Sequence, residues 1–210
     1  MNKSGKIIAI VGAPRSGKSF LAKKLAAHYD AKLFLEGDNG SGAEKFPDWL
    51  AESIAEDKWH LGRQLWFRSQ LAKSQLVAQQ ERELGRVVIM DTFWMSTSLY
   101  VETTLSGWER DLMREVIDLD RNWLSLPDLV IWLKISEAGI RRFLASGGRA
   151  FDQSEAYLQN TVLPVNDLHA KFFTADKTGM KVLTVERESL DFANNHDFLA
   201  LVEQVESRLK

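Results

Sequence analysis

The sequence has 210 residues, 45% hydrophobic and 27% charged, which suits one soluble globular domain, 1–210, with a sizeable core. The formal net charge is -2, so no global basic field would draw a nucleic acid. Cysteine is absent, which excludes disulfides, thiol catalysis and cysteine-based zinc sites and fits a reducing, cytoplasmic setting. In chain order, the charged start MNKSG leads into the apolar run KIIAIV (6–11), which enters a glycine motif and not a cleavage site. No apolar run approaches the roughly 20 residues of a membrane span. KIIAIV, VVIM (87–90) and LVIWLKI (129–135) are continuous and rich in Val and Ile, the pattern of strands covered on both faces. KVLTV (181–185) and the shorter KLFL (32–35) are further strand candidates. Helical patterns lie between them at 18–29, 61–84, 108–126 and 198–209. GDNGSG (37–42) reads as a loop, and Gly147-Gly148, between two charged helical patterns, marks a candidate mobile lid at about 141–156. This strand–helix alternation predicts an α/β fold: a central parallel sheet flanked by helices.

After the first strand, Gly12-Ala13-Pro14-Arg15-Ser16-Gly17-Lys18-Ser19 matches G-x-x-x-x-G-K-[ST] in full and opens a helix. The glycines let backbone N–H groups turn inward as an anion nest, and the helix N-terminus adds positive potential. Lys18 then reaches the terminal phosphates and Ser19 offers its hydroxyl to Mg2+. The motif predicts a P-loop fold of three layers and binding of a nucleoside triphosphate such as ATP. It leaves the acceptor open. Ligands of such sheets lie at the carboxyl ends of the strands. Asp91 ends VVIM there, and Glu36 ends KLFL, with Asp38 two residues on. A kinase acting on a hydroxyl needs one carboxylate to accept the proton and another near the metal. Glu36 suits the first task and Asp91 the second or a share of both. The four histidines are scattered without metal-ligand spacing.

Several pieces together resemble the deoxynucleoside kinases, over nearly the whole chain. The P-loop is followed by the second-strand acid of LFLEGD, the aromatic- and glutamine-bearing WHLGRQLWF, the strand-end element DTFWMS and the Pro-Asp strand LPDLVIWLKIS. The lid-like RRFLASGGRAFD, then AYL, and a last strand and loop VLTVERESLDF complete the order. The resemblance implies that Glu36 is the general base on a sugar 5′-hydroxyl. It implies that Gln64 reads the base edge and that Trp59, Trp66 and Phe67 wall or stack on the base. Arg141, Arg142 and Arg149 would clamp the transferring phosphoryl, and the loop that ends VLTVERESLDF (182–192) would cover the adenine of ATP. A homodimer with the long helices at its interface is also implied.

The chain departs from that pattern in two places. Thr92 stands where the family commonly has arginine, and a single Arg149 follows Gly147-Gly148. One basic group near the acceptor oxygen is then either missing or supplied elsewhere, by Arg63 or Arg68. The acid–threonine pair also looks like the element of ribosylnicotinamide kinases, with Thr92 in contact with another acceptor. A nucleotide-binding regulatory protein without turnover is the third reading.

Overall fold

The computed structural model describes residues 5–36, 46–145, 154–175 and 179–210. Five strands form one all-parallel sheet in the order β2-β3-β1-β4-β5. They are β1 Lys6–Gly12, β2 Lys32–Phe34, β3 Val87–Met90, β4 Leu129–Lys134 and β5 Val182–Glu186. Each falls within a residue of its sequence expectation, because a strand covered on both faces has no polar alternation to blur its ends. The alternation of side chains along β1 divides the core. Ile8 and Ile10 pack with α1 (Lys18–Tyr29) and α9 (Asn195–Leu209) on one face. Ile7, Ala9 and Val11 pack on the other with α3 (His60–Glu83), α4 (Ser96–Thr104) and α5 (Gly107–Asp120). The three-layer α/β architecture expected from the sequence is therefore present.

Three helices lie outside the sequence expectation, α2 (Asp48–Ala55), α4 and α8 (Leu163–Thr174), whereas α6 (Glu137–Ala145) is the charged helical pattern that precedes Gly147-Gly148. α4 has the sequence STSLYVETT, rich in residues that disfavour helix. Packing overrides that preference, since Leu99 and Val101 are buried. α5 stops at Asp120 and not at 126. The next residues make tight turns, with the Leu124 N–H donating to the Asp120 carbonyl at 2.8 Å, and Pro127 then biases Leu126 toward extended backbone. Short α7 (Glu155–Tyr157) runs through a π-helical turn, Leu158–Val162, into α8. Asp38, the 37–42 loop, Gly147, Gly148 and Arg149 lie outside the described residues. Among the described residues no helix is long and apolar enough to cross a membrane.

Candidate active site

The loop between β1 and α1 holds an unusual backbone. Gly12 has φ 152°, Arg15 66° and Gly17 91°. A Cβ on Gly12 would sit 2.9 Å from both the Leu133 carbonyl oxygen and Ser16 Oγ, so glycine is needed there for space as well as for φ. The Lys18 ammonium donates to the carbonyls of Gly12 and Ala13 at 3.1 and 3.0 Å. Ser16 is buried, and its hydroxyl has no hydrogen-bond partner among the described residues.

A second anchor on this loop escaped the sequence reading. The Arg187 Nε–H donates to the Ser16 carbonyl at 2.8 Å, and its Nη1 donates to the Leu190 carbonyl at 2.6 Å. The guanidinium lies over the rings of Phe143 and Phe192, 4.5 and 4.3 Å from their centroids. Burial holds its pKa below the ordinary arginine value. The only sequence signal was its place in VERESLDF, the stretch expected over adenine.

Asp91 is the hub of the strand ends. It is 2% exposed, and its Oδ2 accepts the Ser19 hydroxyl proton at 2.7 Å. Its Oδ1 accepts the Glu36 backbone N–H at 2.6 Å, and its own N–H donates to the Phe34 carbonyl at 3.1 Å. One carboxylate thus joins the ends of β2 and β3 to the first turn of α1. Ser19 and Asp91 form a hard-oxygen pair suited to a divalent cation. Among the described residues no group of three His, Cys, Asp or Glu side chains could hold a metal. A cation here would take its other oxygens from phosphates and water.

Lys18, Ser19, Glu36 and Asp91 line one cavity of about 350 Å³, within the range of small-molecule sites. Pro14, Arg15 and Gly17 join them at the P-loop end; Gly12, Ala13 and Ser16 do not reach the lining. The other end is walled by Phe46, Ile54, Phe67, Tyr100 and Tyr157, with Arg63, Gln64, Thr97 and Thr104 among its polar groups. Phe46, Trp66 and Phe67 pack on one another at 5.0–6.1 Å between centroids. Gln64 is buried, and its Nε2–H donates to Thr104 Oγ1 at 3.1 Å.

Other expected site residues stand elsewhere. Trp59 is 54% exposed, sits at a left-handed φ of 54° before α3 and carries the Lys58 ammonium 4.2 Å from its ring centroid. It does not line the cavity, because it precedes the helix that presents Gln64 and Phe67 three residues apart on one face. Trp66 is likewise behind the lining, against Phe67. Thr92 is buried and outside the cavity, adjacent to the residue whose side chain enters it.

Of the two candidate basic groups, Arg63 lines the cavity and Arg68 does not. Arg63 donates to the Ser53 carbonyl at 3.2 Å and to Asp57 at 3.4 Å, and it also contacts His60. Arg68 is paired with Asp120. Arg141 is exposed and paired with Glu137 and Glu155. Arg142 is exposed, 5.2 Å from the Phe143 ring centroid, and its charge acts on Arg187.

The sequence matches no family model and no curated protein. Its fold is similar to three solved structures of deoxyadenosine kinase from M. mycoides. With bound dATP the TM-score is 0.76 at 14% identity. With the products dCMP and a flexible dCDP it is 0.73 at 17%, and with dCTP 0.63 at 16%. Each comparison covers 96% of this chain and 99% of the other. The five parallel strands, the flanking helices and this near-complete coverage give the chain a deoxynucleoside kinase-like fold.

Proposed function

We propose that this protein transfers a phosphoryl group from a nucleoside triphosphate, ATP in the simplest case, to the 5′-hydroxyl of a nucleoside. The observation that carries the reading is one cavity among the described residues. It joins the P-loop lysine and serine to two strand-end carboxylates, and its far end is an aromatic wall with a glutamine amide. The fold neighbour was solved with dATP and with dCMP, which supports a site for nucleotides at both stages of such a reaction.

In this reading Glu36 accepts the 5′-hydroxyl proton as that oxygen bonds to the transferred phosphorus and the bond to the bridging oxygen of the diphosphate breaks. Lys18 and the P-loop N–H groups neutralise charge on the phosphates. Ser19 and Asp91 are the residues that would hold Mg2+, which supplies further positive charge to the phosphate oxygens when bound. Asp91 also fixes Glu36, through the 2.6 Å bond from the Glu36 N–H. The aromatic end takes the base, with Gln64 at its edge.

Glu36→Gln is expected to lower kcat by about 10²–10⁴-fold while leaving nucleotide affinity unchanged, measured by a coupled ADP assay beside calorimetry. Unchanged turnover would remove Glu36 from the mechanism. A panel of nucleosides that includes nicotinamide riboside tests the acceptor. No turnover on any member, with nucleotide still bound, would favour a regulatory protein. Thr92 lies outside the cavity, so it gives no separate support to a ribosylnicotinamide acceptor.

A further inference from the structure

The hydrogen-bond chain behind Gln64 carries an inference that rests on the nucleoside reading above and deepens it. Thr104 ends α4, and its hydroxyl donates to the Tyr100 carbonyl one turn earlier at 2.7 Å. A hydroxyl has one proton. With that proton placed, Thr104 Oγ1 can only accept, and the group facing it at 3.1 Å is Nε2 of Gln64. Turning the amide over would set Gln64 Oε1 against Oγ1, acceptor against acceptor. The amide oxygen has no hydrogen-bond partner among the described residues.

The neighbouring polar groups do not do the same work. Thr97 lines the cavity with a buried hydroxyl that has no partner among the described residues. A hydroxyl rotates, so it can donate or accept. Arg63 has its guanidinium engaged by Ser53, Asp57 and His60. Gln64 is therefore the planar group on this wall whose donor and acceptor are held in a fixed order.

We propose that Thr104 is a positioning residue that fixes which way round the Gln64 amide faces the cavity, and that this fixed order selects between two classes of base. One class has a ring acceptor beside an exocyclic amino group, as in adenine and cytosine. The other has a ring N–H beside a carbonyl, as in hypoxanthine and uracil. An amide free to flip pairs with either edge; an amide held by Thr104 pairs well with one and opposes like groups on the other.

Two matched pairs of ligands test this, deoxyadenosine against deoxyinosine and deoxycytidine against deoxyuridine, because each pair swaps only that edge. Binding is measured by calorimetry, without relying on turnover. The wild-type protein is expected to prefer the same edge class in both pairs, by about tenfold or more. Thr104→Val keeps the shape and loses the acceptor, and both ratios should fall to near unity. Thr104→Ser should restore them. Equal weakening of both members in Thr104→Val, with the ratios kept, would overturn the proposal, as would equal binding of both members by the wild type. The amide order has its own readout in exchange of the Gln64 side-chain amide protons by NMR. One proton should be protected in the wild type and in Thr104→Ser and lose that protection in Thr104→Val; equal exchange in all three would overturn the positioning role. Binding of none of the four nucleosides, with that protection intact, would overturn the nucleoside reading instead.

Discussion

At the scale of single residues, His169 makes the stability of the fold depend on pH. It lies on α8, buried, with Nδ1 2.8 Å from the Val165 carbonyl and its ring 6.0 Å from that of Phe173. Burial lowers its pKa from 6.5 to about 4, and the Lys18 charge acts in the same direction. The unfolded chain binds a proton near pH 6.5 that the folded chain refuses until about pH 4. Stability from this residue is therefore complete above the unfolded value and is lost as pH falls through the interval below it. The loss between neutral pH and about pH 5 is about 2 kcal/mol. His169→Gln removes the titration, so urea unfolding should show a pH-dependent difference smaller by about that amount. An unchanged difference would mean that folding does not lower the pKa of His169.

At the scale of elements, α3 is fastened to α5 by one ion pair. Arg68 Nε donates to Asp120 Oδ2 at 2.8 Å, its Nη2 donates to Oδ1, and Asp120 is buried. The carboxylate raises the arginine pKa. A buried carboxylate with both oxygens engaged costs more to leave alone than the pair contributes net. Arg68→Ala is therefore expected to destabilise by about 1–3 kcal/mol. The double variant with Asp120→Ala should lose less than the sum of the two single losses. Additive losses in denaturant melts would count against the coupling. Because α3 also carries Gln64 and Phe67, Arg68→Ala should weaken nucleoside binding as well.

At the scale of the whole molecule, α5 is apolar on two sides. Met113 and Ile117 face the core, whereas Trp108, Leu112 and Leu119 are exposed at spacings of four and seven along the other side. Trp123 just beyond α5 is 77% exposed, and Leu65 and Leu76 on α3 are exposed too. Apolar surface of this kind marks an interaction site more often than a solvated face. We propose that it is the contact between two copies of the chain, in line with the homodimer implied by the family resemblance. Sedimentation should give a dimer, and Leu112→Glu with Leu119→Glu should give a folded monomer. A wild-type monomer at micromolar concentration would exclude this contact.

The amino-acid sequence by itself determined the strands, the P-loop and the two strand-end acids. Unbroken Val and Ile runs need cover on both faces, and the glycine motif is a local device whose parts are adjacent in the chain. Gln64 and Phe67 were singled out through the family resemblance alone. Only the tertiary structure decided which partners those residues meet. Gln64 and Thr104 are 40 residues apart, and Arg187 and Ser16 are 171 apart. Nothing local distinguished Arg63, which lines the cavity, from Arg68, which does not. The same limit hid α4, whose threonines and serines disfavour helix until Leu99 and Val101 are buried. Thr92 drew attention in the sequence as a missing charge, but the fold buries it outside the cavity that Gln64 lines. Periodicity fixes which face of an element is apolar; the packing of separate elements fixes what a polar group on that face can reach.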